Sequence, residues 1–276
     1  MSLLVPLVNT WGFQYQNEAG GSTTPGTLVT PGTSGSEGSW TQLAATGDIT
    51  ADIHYLVMQV CNGSINATQK DHLFDIGYSQ DGGTTWREII SDVNAGASIV
   101  GGQGGRQFHF PARIPVGSAV AARIKGSAST ANTVRVLLQL FGRPSRPELW
   151  RPYNSYESVG ISGSAGTAFT PGNASWGSWA LLGTTNFENF WFQTGLGIST
   201  SSMNTEATRI QMAVGNGTNF DVINDFIMQS TTSEAIGSPL CAACTRYVKP
   251  GSSLYVRGFC SGAPASGYHA SAHCVG

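Results

Sequence analysis

Apolar and polar residues alternate with a period of two along most of this chain, a pattern typical of β-strands with one buried face. The predicted strands comprise residues 53–59, 73–78, 85–90, 120–125, 134–141, 190–196, 209–214, 254–259 and 268–275. Glycine-rich and polar stretches separate them, as in sandwiches and jelly rolls. Residues 224–229 fit either a short helix or a strand. Helical periodicity is otherwise scarce, so the pattern predicts an all-β fold.

The same motifs occur twice in the same order. Trp40, in a Gly-Ser-Trp motif, recurs as Trp179, an offset of 139 residues, and the segment that starts at Gly117 recurs at Gly251, an offset of 134. The second offset also carries Gly142 onto Gly276. A duplication of this length predicts two tandem homologous domains of the β-sandwich or jelly-roll type. We place them at residues 22–142 and 159–276.

The segments outside the two copies are candidate contact regions. Residues 143–158 form a Pro/Arg-rich linker whose three Arg-Pro steps favour a stiff, extended chain. Residues 1–21 have no counterpart in the repeat, and their apolar side chains suit either an added strand or an arm that docks on another protein. The candidate partner contacts in these segments are Leu3, Leu4, Trp11, Arg143, Arg146, Trp150 and Arg151.

Composition narrows the possible functions. Charged residues make up only 11% of the 276 residues and the formal net charge is −2, which gives no electrostatic basis for nucleic-acid binding. No apolar stretch approaches the length of a membrane span, so membrane insertion is not expected. The first residues lack the basic flank and the length of a signal peptide. We therefore expect a protein that is made in a cytoplasm and does not leave by the secretory route.

Four of the five cysteines fall in the second copy, namely Cys241, Cys244, Cys260 and Cys274. Buried free thiols are the main interpretation, because Cys244 and Cys274 align with apolar residues of the first copy. Disulfides and a zinc site that includes His269 and His273 remain alternatives. Strand parity weakens the zinc alternative, because Cys241 and Cys244 would lie on opposite faces of one strand.

The segment from Ser79 to Trp86, Ser-Gln-Asp-Gly-Gly-Thr-Thr-Trp, resembles the Asp-box of sialidases and other β-propeller proteins. In those families the box is a structural hairpin turn, which implies the same role here. The aspartate would bond turn amides, a glycine would take a positive φ, and the tryptophan would pack beneath the turn.

Known catalytic motifs are missing from the sequence: it contains no nucleophile elbow, zinc-protease helix motif, P-loop or dinucleotide fingerprint. We therefore predict that the chain is not an enzyme and expect no catalytic, cofactor or metal site. Trp176 and Trp191 have no tryptophan counterparts in the first copy. They are the candidate residues for stacking on a glycan.

One further set of motifs resembles a known family. Gly38-Ser39-Trp40, the strand Asp75-Ile76-Gly77, the segment from Ile114 to Arg123 and a closing strand that ends in Phe141-Gly142 resemble a β-sandwich repeat of virion structural proteins of tailed bacteriophages. The resemblance covers most of the first copy, and the second copy departs from it at Lys249 and Gln211. It implies structural motifs and no catalytic residue.

The function expected from this resemblance is that of an accessory structural protein on the exterior of a tailed-phage virion. It would be a head decoration, a neck or collar component or a tail-fibre-associated protein, and would act through contacts with other virion proteins as a homo-oligomer. The alternative is a glycan-binding or receptor-binding adhesin, with a host surface glycan as its partner. Arg123 and Arg257, which end the repeated strand, would form a salt bridge, cap a sheet or anchor an interface.

Overall fold

The structure is a computed structural model. It describes residues 11–16, 26–33, 35–62, 72–94, 106–126, 133–144, 155–163, 165–198, 207–231, 234–236, 243–263 and 268–276. The described residues contain strands and no helix, so the all-β prediction is confirmed. Accordingly, no helix in the described ranges is long and apolar enough to cross a membrane.

Nine strands lie among the described residues of the first half of the chain. They are β1 (Trp11–Gln16), β2 (Thr27–Val29), β3 (Thr41–Ala44), β4 (Ile53–Asn62), β5 (His72–Ser79), β6 (Arg87–Asn94), β7 (Arg106–Phe110), β8 (Ala119–Gly126) and β9 (Val134–Pro144). One sheet has the order β2-β9-β4-β7, and the facing sheet has the order β3-β8-β5-β6. This is the strand order of an eight-stranded jelly roll. We call it the first sandwich.

Twelve strands follow in the part of the second half that the structure describes. They are β10 (Tyr156–Val159), β11 (Ile161–Ser162), β12 (Ala165–Phe169), β13 (Gly172–Asn173), β14 (Ala180–Thr184), β15 (Asn189–Ile198), β16 (Ala207–Gly215), β17 (Phe220–Thr231), β18 (Glu234–Ile236), β19 (Ala243–Val248), β20 (Ser253–Cys260) and β21 (Tyr268–Val275). The orders β12-β21-β15-β19 and β14-β20-β16-β17 repeat those of the first half. We call this jelly roll the second sandwich. Residues 224–229 belong to the long strand β17.

The strand register matches between the two sandwiches residue by residue. Arg123 lies opposite Asp75 in the first, and Arg257 lies opposite Gln211 in the second. The glycines that precede these two arginine strands, Gly117 and Gly251, both have a positive φ, of 72° and 78°. A side chain would be strained in this conformation, so the repeated Gly-Ser step is the tight turn that starts each strand.

The first strand of the chain corrects one prediction. β1 pairs antiparallel with β9, and β10 pairs in the same way with β21, the strand equivalent to β9. The opening segment therefore does have a counterpart in the second half, at least over β1. Residues 11–16 form an added strand on the first sandwich, whereas residues 1–10 lie outside the described residues. β10 begins inside the stretch predicted as linker, of which residues 145–154 are not described.

Each sandwich has its own apolar core between its two sheets. The first core includes Phe74, Phe108 and Phe110, and the second includes Phe192, Tyr268 and Cys274. Cys260 and Cys274 are buried free thiols, which confirms the main prediction for these two residues. Trp191 and Val275 of the second half pack on the first core, so the two cores meet.

Candidate functional site

The contact between the two sandwiches is a buried polar network centred on His273. The backbone N–H of Asn94 donates to His273 Nε2 over 3.1 Å. Because Nε2 is an acceptor, the neutral ring carries its proton on Nδ1, which lies 2.9 Å from Ser158 Oγ. Ser158 Oγ and the Tyr156 hydroxyl in turn both donate to the carbonyl of Ser91, over 2.7 and 2.9 Å. The network thus ties β6 of the first sandwich to β10 and β21 of the second.

In a second part of this interface, the side-chain amide of Gln193 makes the pair of hydrogen bonds that a neighbouring strand would make to the backbone of β7. Gln193 Oε1 accepts the backbone N–H of His109 over 2.7 Å, and its Nε2 donates to the carbonyl of the same residue. The Trp191 indole N–H also donates to that carbonyl, over 3.1 Å. β7 is an edge strand, and these three bonds satisfy backbone groups that an edge leaves unpaired.

Both interface histidines are held neutral. Burial lowers the pKa of His273 to about 3 and that of His109 to about 4. A charged imidazole would lose its hydration on burial, and no carboxylate in the described ranges bonds to either ring in return, so the neutral form is favoured. The interface is therefore built for a pH at which imidazole is uncharged.

Trp191 does not suit a glycan-binding role. Its side chain is only 4% exposed, and its indole N–H is used within the interface. A sugar ring cannot stack on it without separating the two sandwiches. The tryptophan is present in the second copy alone because only that copy uses the outer surface of this sheet to hold the other domain.

A cleft of about 760 Å³ opens beside the interface. Aromatic side chains of both sandwiches, Phe110, Tyr156 and Phe187, line it together with the charged Arg87 and Glu88. Burial, with the nearby Asp75 charge, raises the pKa of Glu88 against the opposing effect of Arg123. A cavity of this size between domains is large enough to hold a small ligand.

The Asp-box segment forms the predicted hairpin turn between β5 and β6. Asp81 Oδ1 accepts the backbone N–H groups of Thr84 and Thr85 over 3.1 and 2.9 Å, and it also accepts the Ser79 hydroxyl. These bonds, that of Ser79 first, lower the pKa of Asp81 to about 2. Gly83 has a φ of 96°, and the Trp86 ring packs beside it. The segment has the structural role that the resemblance implied.

Arg123 is the centre of a charged cluster on the outer face of the first sandwich. Its guanidinium bonds three carboxylates, with Nη1 2.6 Å from Glu37, Nε 2.8 Å from Asp75 and Nη2 2.6 Å from Glu88. Trp40 lies under the guanidinium, 4.5 Å from its ring centroid. Burial alone would lower the pKa of Arg123, but the hydrogen bond and charge of Asp75 outweigh it and raise the pKa. The salt-bridge prediction is therefore confirmed for this arginine.

Arg257 has the equivalent position in the second sandwich but different neighbours. Its guanidinium lies between the rings of Trp176 and Trp179, 4.3 Å from each centroid. Nε and Nη2 both donate to Gln211 Oε1, over 3.0 and 2.8 Å. Among the residues that the structure describes, no carboxylate lies within ion-pair distance of Arg257. We call these four residues the arginine–tryptophan cluster.

Trp176 is half-buried in this cluster. Arg257 covers its ring, Arg209 lies 5.5 Å from its centroid, and Phe259 packs against it edge to face. It therefore serves as a wall that holds Arg257 rather than as a bare platform. The sequence pattern marks both Trp176, which has no tryptophan counterpart in the first copy, and Arg257, but it does not indicate that the two side chains are in contact.

Of the remaining candidate contacts, five lie outside the described residues: Leu3, Leu4, Arg146, Trp150 and Arg151. Trp11 opens β1, where its backbone pairs with Pro144, and Arg143 lies in β9. Within the described ranges, no group of three His, Cys, Asp or Glu side chains is placed to hold a metal ion.

No protein-family model matches the chain, and no curated protein matches it in sequence. Solved structures that resemble it include PNGF-II (TM-score 0.38, 7% identity), for which 96% of this chain spans 65% of the other. Recombinant N-glycanase F (PNGase F) gives a TM-score of 0.40 at 11% identity, and the match covers 95% of this chain and 94% of that chain. PNGase F of Flavobacterium meningosepticum, a glycosylasparaginase, gives 0.36 at 11% identity and coverages of 95% and 92%.

This comparison contradicts the prediction that the chain is not an enzyme, because PNGase F is a glycosylasparaginase. That prediction is withdrawn. At these TM-scores and identities the likeness assigns no reaction, substrate or catalytic residue to this chain.

Proposed function

We propose that the chain is an accessory structural protein on the exterior of a tailed-phage virion. It acts through protein–protein contacts with other virion proteins, as a head decoration, a neck or collar component or a tail-fibre-associated protein, and assembles as a homo-oligomer. The repeat motifs that resemble virion β-sandwich proteins support this proposal. Their residues have structural roles here, as turns, core strands and the Arg123 cluster.

The observation that carries the proposal is the way the two sandwiches are joined. The His273 network and the Gln193 bonds to His109 fix the second sandwich against an edge of the first through buried side chains. Two jelly rolls fixed in this way form a single block with a set geometry. A block of set geometry suits a repeated structural position, because each of its contacts is presented at a constant distance from the others.

The second sandwich offers a surface for such contacts. Its sheet β14-β20-β16-β17 points away from the first sandwich, because the opposite sheet carries the interface strands β10, β15 and β21. Ile227 is 65% exposed and Leu181 52% exposed on this sheet. These two side chains lie on the outer strands β17 and β14 of the sheet, and exposed apolar side chains of this kind can be covered by a partner protein.

Purified particles test the proposal. Mass spectrometry of gradient-purified virions from the phage that encodes the chain should detect it in a fixed ratio to the major capsid protein. Cryo-microscopy should then place two adjacent jelly rolls on the particle surface. Absence of the chain from purified virions, with free protein remaining in the lysate, would contradict the proposal.

The second candidate function is glycan binding by an adhesin. The arginine–tryptophan cluster favours it, because a partly buried cation flanked by aromatic rings lies on the outward-facing sheet. This candidate is compatible with a place on the virion, where an outward surface meets the host.

A further inference from the structure

The two arginine clusters differ in a way that the fold makes directly comparable. Glu37 and Trp176 hold equivalent positions, because each forms a β-bridge to the residue two places after its arginine, Lys125 or Phe259. Asp75 and Gln211 are equivalent, since each lies opposite the arginine on the neighbouring strand. Glu88 and Val222 are equivalent as the partners of Gly77 and Ala213. All three carboxylates that neutralise Arg123 are thus replaced around Arg257.

The arginine itself is retained. A partly buried guanidinium normally has a charged partner, because desolvation disfavours an isolated charge. Burial, opposed in part by the charge of Asp225, lowers the pKa of Arg257. Asp225 instead forms its ion pair with Arg209 and accepts a hydrogen bond from the Gln211 amide. The cluster therefore keeps one positive charge that no described residue neutralises by contact.

One vacated position, that of Glu37, lies beside Nη1, the guanidinium nitrogen that Gln211 does not use. In the first sandwich Nη1 and Nη2 reach Glu37 and Glu88, whereas Nη2 of Arg257 is bonded to Gln211. Among the described residues, none accepts a hydrogen bond from Arg257 Nη1. Val222 is 38% exposed and the two tryptophans are half-buried, so solvent and solutes reach this side.

We propose that the arginine–tryptophan cluster binds acidic saccharides, sugars whose ring carries a carboxylate. The carboxylate takes the place of the missing Glu37 group and accepts a hydrogen bond from Arg257 Nη1, a charge-assisted contact that a guanidinium favours. The apolar C–H face of the sugar packs on Val222, which is 38% exposed, beside the arginine that Trp176 holds in place. The cluster carries one cation flanked by two rings within the footprint of a single sugar ring, so a monocarboxylated ring matches it in charge and size.

This inference deepens the second candidate function, glycan binding, and rests on it, but it does not depend on the proposed structural role. The chain can bind an acidic sugar without being a virion component, and it can occupy a virion without binding the sugar. Particle composition tests the first proposal, and titration of the purified protein tests the second.

The experiment is a calorimetric titration of the full-length chain, followed in parallel by tryptophan fluorescence. The probes are trigalacturonate, sialyllactose, the uncharged lactose and hexaglutamate. At least one acidic saccharide should bind with a Kd on the order of 1 mM or tighter, and lactose should bind about tenfold more weakly or not at all. Equal binding of lactose, preference for hexaglutamate or no binding of any probe would overturn the proposal.

Two variants locate the site. Arg257→Gln should weaken acidic-saccharide binding by about tenfold or more, through loss of the charged hydrogen bonds. Val222→Glu, at an exposed position, restores a carboxylate of the first sandwich and should weaken binding comparably while the protein stays folded. Glu37→Gln, in the first sandwich, is the matched control and should bind as the wild type does. Unchanged binding in folded Val222→Glu and Arg257→Gln would overturn the assignment.

Discussion

Arg123 and Arg257 hold the same position in two matching strand registers, yet among the described residues carboxylates pair with Arg123 and not with Arg257. Duplication kept the arginine and the tryptophan on which it packs in both copies, Trp40 in one and Trp179 in the other. In the first sandwich the arginine closes a charged cluster. In the second sandwich the arginine lies between two aromatic rings, and no described carboxylate is paired with it.

This difference predicts that the same substitution lowers the free energy of unfolding more at Arg123 than at Arg257. Arg123→Gln leaves the buried Asp75, whose side chain is 6% exposed, without its cation and should lower the free energy of unfolding by about 2–3 kcal/mol. Arg257→Gln removes no ion pair and should cost about 1 kcal/mol or less, mostly from lost packing on the rings. Urea unfolding of both variants measures the difference. Equal losses would show that the carboxylates around Arg123 contribute little.

The side chain of Gln193 predicts a sensitive point in the interface. Gln193→Leu keeps the size of the side chain but leaves the buried N–H of His109 without its acceptor. The loss should be about 2 kcal/mol of unfolding free energy, the cost of an unsatisfied buried polar group. Gln42→Leu, at an exposed position of β3, is the matched control and should cost less than about 0.5 kcal/mol. A neutral Gln193→Leu would show that the backbone of β7 finds another partner.

The closeness of the two sandwiches predicts a steric effect at Gly195. A Cβ added there would collide with the His273 ring and approach the Asn94 carbonyl oxygen to 2.8 Å. Gly195→Ala should therefore destabilise the chain by about 1–3 kcal/mol and increase hydrogen exchange along β6 and β21. Gly47→Ala, where an added Cβ meets nothing within 4 Å, is the control. If hydrogen exchange in Gly195→Ala equals that of the wild type, the sandwiches leave room for an added Cβ and the close packing described above is wrong.

The buried histidines predict a loss of stability in acid. Their folded pKa values, about 3 for His273 and about 4 for His109, lie below the unfolded value of about 6.5. The unfolded chain therefore binds more protons as pH falls, so their contribution is complete above about pH 6.5 and declines toward pH 4. The slope should approach 1.4 kcal/mol per pH unit for each histidine as an upper bound.

Nuclear magnetic resonance titration of the imidazole C–H signals checks this directly. Neither His273 nor His109 should titrate between pH 8 and pH 5 in the folded chain, while unfolded protein should show midpoints near 6.5. Midpoints near 6.5 in the folded chain would mean that the two rings are exposed to solvent and the interface is open.

Much of the fold follows from sequence pattern, because the information is local or repeated. The period-two alternation predicted the strands, and the Gly-Ser step before Arg123 and Arg257 predicted the turns. The Asp81 box predicted a hairpin, since its bonds lie within seven residues. For residues 224–229 the sequence pattern does not decide between a helix and a strand, because their place in β17 depends on pairing with β16.

The interface and the arginine–tryptophan cluster were not predictable in this way. Gln193 and His273 are ordinary polar positions on alternating strands, and their partners His109 and Asn94 are 84 and 179 residues away. Trp191 was misinterpreted as a ligand residue because a tryptophan present in one copy alone suits either exposure or a new interface. A position-by-position comparison of the copies, Glu37 with Trp176 and Asp75 with Gln211, holds the signal that would have found the second site.

The central claim is that the two sandwiches behave as one block held by the His273 network. Differential scanning calorimetry of the full-length chain at pH 7.5 tests it most directly. We predict a single transition whose calorimetric and van't Hoff enthalpies agree, and its separation into two transitions in Gly195→Ala. Two independent transitions in the wild-type chain would contradict the claim.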